Sequence, residues 1–445
     1  VSTPAPARVV ATRVLERVIR DEAFADVALE HEVTRRGLAP RDAALAAELV
    51  FGTLRWQRYL DWILAPHARR PIDTLDLRAL VVLRLAAYQL RFLERVPAFA
   101  AVNDAVGLAR GGSAARGVDG FVNAVLRSFT RRRVERALPA DPVDALATRL
   151  SFPTWLAARW VARYGAEDAE ALMRAMNERP PLVVRTNTLR TTREALRERL
   201  ARDTGIAAEP TRFAPDGLVL PHEGAPASWP AFADGHLAVQ DEASILVSHL
   251  LAARPDETVA DACAAPGTKT THLAQLMENR GRLIAFDREA GRLARVREAA
   301  ARLGVDIVQT VEGAIETTAG PFEAACDAVL VDAPCSNLGV LRRNPDVKWR
   351  RTLDDVPASA ARQRDILAVA ASMVKPHGRL VYATCTLEPE ENDGVASAFV
   401  AAHPEFRVDA PADFPIPPDA QGFIRCLPHR HGTDGFTMVR LRRGP

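Results

Sequence analysis

At 445 residues and 48% apolar composition, the chain exceeds one ordinary core and has ample apolar surface to bury, so two or three domains are expected. No stretch approaches the roughly 20 apolar residues of a membrane span, and Val1-Ser2-Thr3-Pro4 opens no charged-then-apolar leader, so a cytoplasmic protein without membrane attachment or secretion signal is expected. The net charge of +2 is uneven: residues 1–140 carry 22 Arg against 15 acidic groups (+7) and the rest 36 basic against 41 acidic (−5), and a basic front suits a nucleic-acid partner.

Residues 8–136 read as helix throughout. Val10, Val14 and Val18, with Leu15 and Ile19 alongside, form one apolar helical face. The run from Leu77 to Tyr88 is apolar nearly all round and is expected to be the buried central helix of a bundle. Gly111-Gly112-Ser113 breaks the next helix, Phe121 to Leu126 restarts one, and Arg131-Arg132-Arg133 followed by Pro139 and Pro142 marks a boundary. Residues 151–178 read as helix with Pro153 in the opening turn. From Pro180 the period changes: Leu182 to Thr188 has strand composition, Thr192 to Arg202 a helical pattern, and short strands are expected near 206–213 and 218–220. From Thr258 onward short strands at 258–261, 283–286, 307–310, 328–331 and 380–382 alternate with helical patterns, as in a doubly wound parallel sheet. The expected domains are 1–140 (all-α), 141–238 (small α+β) and 239–445 (Rossmann-like α/β).

Chemistry gathers at the strand ends. The first strand of the α/β part runs into Asp261-Ala262-Cys263-Ala264-Ala265-Pro266-Gly267-Thr268-Lys269-Thr270, a small-residue turn that lets backbone approach a ligand. It is neither a P-loop nor a dinucleotide fingerprint, because Thr268 and Cys263 stand where a P-loop needs glycine. The second strand ends at Asp287, placed to accept hydrogen bonds from ribose hydroxyls. A nucleoside cofactor without a phosphate cradle points to S-adenosylmethionine. The fourth strand ends in Asp332-Ala333-Pro334-Cys335-Ser336-Asn337 and the fifth in Ala383-Thr384-Cys385-Thr386. Neighbouring strands would put both cysteines in one cleft. The five cysteines include no Cys-x-x-Cys pair, which argues for reactive or buried thiols in a reducing compartment. A thiolate adding to carbon 6 of cytosine makes carbon 5 nucleophilic, an acid at ring nitrogen 3 assists, and a second thiol can aid release.

Taken together, these motifs resemble the Sun/RsmB branch of RNA cytosine-5 methyltransferases, and the resemblance runs the full length of the chain. Residues 8–136, with Ala101-Val102-Asn103-Asp104-Ala105-Val106 and Gly120 to Arg127, look like that branch's NusB-type RNA-binding helical domain. Pro181 to Asn187 resembles the start of its intermediate domain, and Arg342 to Trp349 and Asp434-Gly435-Phe436 match further motifs. The resemblance implies a methyltransferase acting on 16S ribosomal RNA, with other RNAs as the alternative substrate, and no DNA partner; a monomer is expected. It implies Cys385 as nucleophile, Cys335 as the releasing thiol and Asp332 at the base. Cys263, Ala264, Ala265, Pro266, Gly267, Thr268, Lys269, Asp287 and Asp332 would hold S-adenosylmethionine. Two departures stand out. Thr268 replaces a glycine, and Val311-Glu312-Gly313-Ala314 lacks the usual aspartate after the third strand, so either Glu312 substitutes with a longer reach or that contact is absent. Arg342, Arg343, Lys348 and Trp349 are expected to contact RNA phosphates and bases. His429 and His431 lack a third ligand, so no metal site is expected.

Overall fold

A computed structural model describes residues 4–111, 117–132, 134, 136–221 and 225–445. The first three residues, the expected break at Gly112-Ser113 and the last arginine of the 131–133 run lie outside the described residues. Two compact units result: Val1–Glu178 with Leu341–Arg351, and Arg179–Val340 with Thr352–Pro445.

The first unit is helical. Pro6–Arg20 buries Val10, Val14, Leu15 and Val18 as the spacing predicts. Leu77–Phe92 is the central helix, buried at almost every position from Ala79 to Gln89. Asp76 caps it, accepting from the amides of Arg78 (3.0 Å) and Ala79 (3.4 Å). The helices Pro142–Leu150, Thr154–Tyr164 and Ala166–Asn177 belong to this unit. The two compact units divide near residue 178.

Leu341–Arg351 is also part of this helical unit, which corrects the expectation for the basic loop. Lys348 is fully buried; its Nζ donates to the carbonyls of Arg55 (3.2 Å) and Ser151 (3.3 Å) and to Asn177 Oδ1 (2.6 Å), 3.7 Å above the Phe152 ring. Burial, and then the Arg55 charge, drive its amine well below the usual lysine range. Trp349 Nε1 donates to the Leu54 carbonyl at 2.7 Å. Arg342 is 3% exposed and its carbonyl accepts from Arg55 Nη2 at 2.7 Å; Arg343 is half-buried. Lys348 and Trp349 spend their donors on buried acceptors and the Arg342 side chain is itself buried, so Arg342 and Lys348 are not free to meet RNA.

The second unit holds two sheets. The smaller is antiparallel, β1 (Leu182–Thr186), β2 (Glu209–Pro210), β3 (Gly217–Leu220) and β4 (Leu237–Val239) in the order β2-β3-β1-β4. The helix Arg193–Thr204, capped by the Thr192 hydroxyl, packs on it. The larger contains β5 (Thr258–Asp261), β6 (Arg282–Asp287), β7 (Val308–Glu312), β8 (Cys326–Asp332), β9 (Val374–Thr384), β10 (Phe406–Val408), β11 (Ile424–Cys426) and β12 (Phe436–Arg443). Its order is β10-β12-β9-β8-β5-β6-β7, with β11 paired to β12. Strands β5 to β9 are parallel, as expected; β12 runs antiparallel to β9, giving the sheet a mixed margin that the alternating pattern did not signal. Chain order reverses between β5 and β8, and such switch points open a crevice at the carboxyl ends of the strands. Among the described residues no helix is long and apolar enough to cross a membrane.

Candidate active site

The turn after β5 is shaped by its backbone. Ala262 N donates to the Leu330 carbonyl, Ala264 N to that of Phe286 and Gly267 N to that of Ala264, each at 2.8–2.9 Å. These amides are spent within the protein and form no phosphate nest. Gly267 sits at φ 105°, and a Cβ there would come within 3.0 Å of Val296 Cα, so glycine is required twice over. Thr268 opens the helix Thr268–Leu276 without positive φ, so the Cβ that replaces the family's glycine is accommodated.

A cavity of about 250 Å³ lies at the switch point, bordered by Cys263, Ala265, Lys269, Asp287, Asp332 and Cys385 among the predicted residues. Ala264, Pro266, Gly267 and Thr268 build the turn without bordering it. Glu312 corrects the sequence reading: it is exposed at the end of edge strand β7 and does not border the cavity, whereas Gly313 and Glu316 beyond it do. Glu316 is engaged by Arg288 at 2.7 Å. Asp287 is buried; Oδ1 accepts from the Glu289 amide (3.1 Å) and Oδ2 faces Arg292 (3.5 Å). An acidic acceptor at the end of β6, with no phosphate nest beside it, fits a nucleoside carrying no phosphate.

Lys269 is buried, and its Nζ donates to Asp332 Oδ2 at 2.7 Å, 5.3 Å from the Phe436 ring. Burial works against its charge, but Asp332 and the nearby Cys385 and Asp261 outweigh it and raise its pKa. Beneath it Asp261 is buried, accepting from Thr270 Oγ1 at 2.7 Å; burial first, and Asp332 in addition, push its carboxyl up to about 6.

The parallel pairing of β8 with β9 brings the cysteines together: Cys335 Sγ lies 3.1 Å from Cys385 Sγ. Asn337 reaches both, its Oδ1 accepting from Cys385 Sγ at 2.9 Å and from Cys335 Sγ at 3.4 Å. Cys385 borders the cavity, whereas Cys335 is buried behind it. The hydrogen bond with Cys385 and burial hold the Cys335 thiol well above its usual pKa. The two loops are tied from behind. Ser336 Oγ meets Thr386 Oγ1 at 2.9 Å, and Glu391 accepts from the Ser336 amide (2.9 Å), the Ser336 hydroxyl (2.5 Å) and Gln363 Nε2 (2.9 Å). Burial raises the Glu391 carboxyl against the hydrogen bonds it accepts. Sequence reasoning missed Glu391 and the cavity-lining Arg362, and quoted Asn337 and Phe436 within motifs without giving either a role. The φ of 64° at Asn337 goes with its turn back onto the sulfurs.

In the helical unit a groove of about 690 Å³ is bordered by Arg69, Arg127, Arg131 and Arg132, with His67 and Phe121. All four arginines are exposed, and among the described residues no acidic side chain borders the groove. His67 Nδ1 lies 2.9 Å from Ser128 Oγ, and burial, with the Arg132 charge, lowers its pKa.

The family model described as 16S rRNA methyltransferase RsmB/F matches residues 248–442, that of the NusB family residues 5–131, and that of the RsmF/B-like ferredoxin-like domain residues 152–225. A probable ribosomal RNA small subunit methyltransferase B of Bacillus subtilis is 37% identical, covering 98% of each chain. The ribosomal RNA small subunit methyltransferase B of Pseudomonas putida is 35% identical over 98% of each. Among solved structures, that of PH0851 superposes over the whole of both chains with a TM-score of 0.85 at 27% identity. A methyltransferase homolog from Pyrococcus horikoshii covers 68% of this chain and 99% of its own with a TM-score of 0.60 at 30% identity. With its cysteine pair, its nucleoside-type cavity and these full-length relatives, the chain belongs to the RsmB/F family of S-adenosylmethionine-dependent 16S rRNA methyltransferases.

Proposed function

We propose that the enzyme methylates carbon 5 of one cytosine in 16S ribosomal RNA through a covalent Cys385–cytosine adduct. The observation that carries this reading is the 3.1 Å approach of Cys335 and Cys385, one thiol bordering the cavity and the other buried and held protonated. Asp287 and the turn from Cys263 to Lys269 hold the cofactor, which supplies an electrophilic sulfonium methyl group.

Cys385 attacks as thiolate at carbon 6, and the adduct's enamine makes carbon 5 the nucleophile toward the methyl group. The Asp332–Lys269 pair offers an acceptor and a donor side by side, matching the exocyclic amine and ring nitrogen 3 of cytosine. Lys269 also provides the positive charge beside Cys385 that a thiolate needs. After transfer a water molecule takes the proton from carbon 5, the C–H electron pair restores the 5,6 double bond, and the bond to Cys385 Sγ breaks with its electron pair returning to sulfur. Cys335, in hydrogen-bonding contact with that sulfur, assists the release. The RNA backbone is held by the arginine groove of the helical unit, whose exposed guanidinium groups are free to pair with phosphates.

The two cysteines separate in a gel experiment. With Cys385→Ala no protein–RNA adduct forms. With Cys335→Ala the enzyme attacks and methylates once, then stalls as a slow-migrating adduct on a denaturing gel, and neither variant turns over. An adduct in Cys385→Ala but not in Cys335→Ala would reverse the roles.

A further inference from the structure

A second polar cluster in the larger unit borders neither sheet end nor cavity. Asp216 lies in the turn leading into β3, His249 in the helix Glu242–Leu251, and His272 and Gln275 one turn apart on the helix Thr268–Leu276. His249 Nε2 is 3.0 Å from Asp216 Oδ1, and His272 Nε2 is 2.9 Å from Asp216 Oδ2. Donor atoms of these three residues all fall within 4.8 Å of one another.

Hydrogen bonding leaves this cluster incomplete. His272 is fully buried, yet neither ring nitrogen makes a hydrogen bond: Nε2 is close to the carboxylate but off the line that a ring N–H requires. Gln275, 4% exposed, donates Nε2 to Asp216 Oδ2 at 3.2 Å while its Oε1 has no partner. Buried orphans of this kind cost about 1–3 kcal/mol each and call for an explanation. A ring nitrogen and a carboxylate oxygen that approach without pointing at each other are placed to converge on a third atom.

We propose that Asp216, His249 and His272 form a divalent-cation site of the zinc type, with a bound water in the fourth position donating to Gln275 Oε1. Two imidazoles and one carboxylate are a donor set suited to zinc. Metal–ligand bonds of about 2.0–2.2 Å place tetrahedral donors roughly 3.3 Å apart; the 2.9 and 3.0 Å contacts reach the two different oxygens of Asp216, so an ion between the rings takes the carboxylate through both oxygens or draws in donors now up to 4.8 Å apart. The partly exposed His249 gives the ion a way in. The buried guanidinium of Arg185, bonded to the Thr268 carbonyl at 2.7 Å and to Thr271 Oγ1 at 3.2 Å, opposes the added charge. Binding is therefore weaker than at a thiolate-rich structural site. The ion would pin the small sheet, through Asp216, to the two helices that pack beneath the large one.

Equilibrium dialysis of the metal-stripped full-length protein against Zn²⁺ tests this. One equivalent is expected in the wild type, accompanied by a rise in Tm, and at least tenfold weaker binding in both His249→Ala and His249→Gln. The paired thiols could also take zinc, so the Cys335→Ala/Cys385→Ala double variant must keep its equivalent. Co²⁺ bound in its place should show visible d–d bands without a sulfur charge-transfer band. No stoichiometric Zn²⁺ in the wild type, undiminished binding in the His249 variants, or loss with the cysteines would each overturn the proposal and leave a carboxylate–histidine hydrogen-bond cluster.

Discussion

Asp261 closes β5 one residue before the cofactor turn, with its carboxyl out of water and the Asp332 charge nearby. Burial lifts its folded-state pKa to about 6, above the ordinary aspartate value of 3.8, so folding favours the protonated form. The resulting stability is fully present below about pH 4 and is lost as pH rises through 6, by on the order of 3 kcal/mol. Asp261→Asn keeps an acceptor for Thr270 and has no charge to bury. Denaturation of wild type and variant should differ little below about pH 4, with the variant gaining between about pH 4 and 6 and the gap levelling off above that; a gap independent of pH would remove burial as the cause. At this scale the pairing of the two thiols was legible, because Pro334-Cys335 and Thr384-Cys385 each follow a strand. Asn337 and Glu391 were not, since what they do depends on a backbone φ and on a loop some 50 residues away in sequence.

Strands β5 to β9 were legible as elements because each short apolar run is followed by a helical pattern. The antiparallel β12 was not, since a strand's direction depends on its pairing partner and not on its own composition. The segment Leu341–Arg351 misled for a physical reason. Its cluster of Arg and Lys reads as a solvated, RNA-facing loop, yet the acceptors that bury Lys348 lie 171, 197 and 293 residues away in the chain. Lys348→Ala would leave two carbonyls and an amide oxygen unpaired, a loss of about 3 kcal/mol or more. It should therefore lower the denaturation midpoint while leaving the salt dependence of RNA binding unchanged. A variant of wild-type stability that binds RNA poorly would restore Lys348 to the RNA interface.

For the whole molecule, RNA affinity should follow the groove of Arg69, Arg127, Arg131 and Arg132 in the helical unit. If Arg127 and Arg131 each neutralise a phosphate, Arg127→Ala/Arg131→Ala should flatten the slope of log affinity against log salt by about 1.4 to 1.8. Affinity for S-adenosylmethionine, measured by calorimetry, should stay where it was. An unchanged slope would mean that phosphates are held elsewhere.

The placement of Leu341–Arg351 in the helical unit also sets an order in time. A ribosome releases residues 1–178 with the Lys348 acceptors, Arg55 O, Ser151 O and Asn177 Oδ1, still facing water. The donor that fills them is encoded beyond β8, and at roughly 5–20 residues per second it emerges on the order of ten to thirty seconds later. In that interval the nascent bundle has its helices up to Ala166–Asn177 but lacks the short helix Val347–Arg350 from downstream, so it is exposed to chaperones and proteases as an unfinished core. The unit synthesised first is the one completed late, and its final stability is reached only after four of the eight strands of the large sheet, β5 to β8, have been translated.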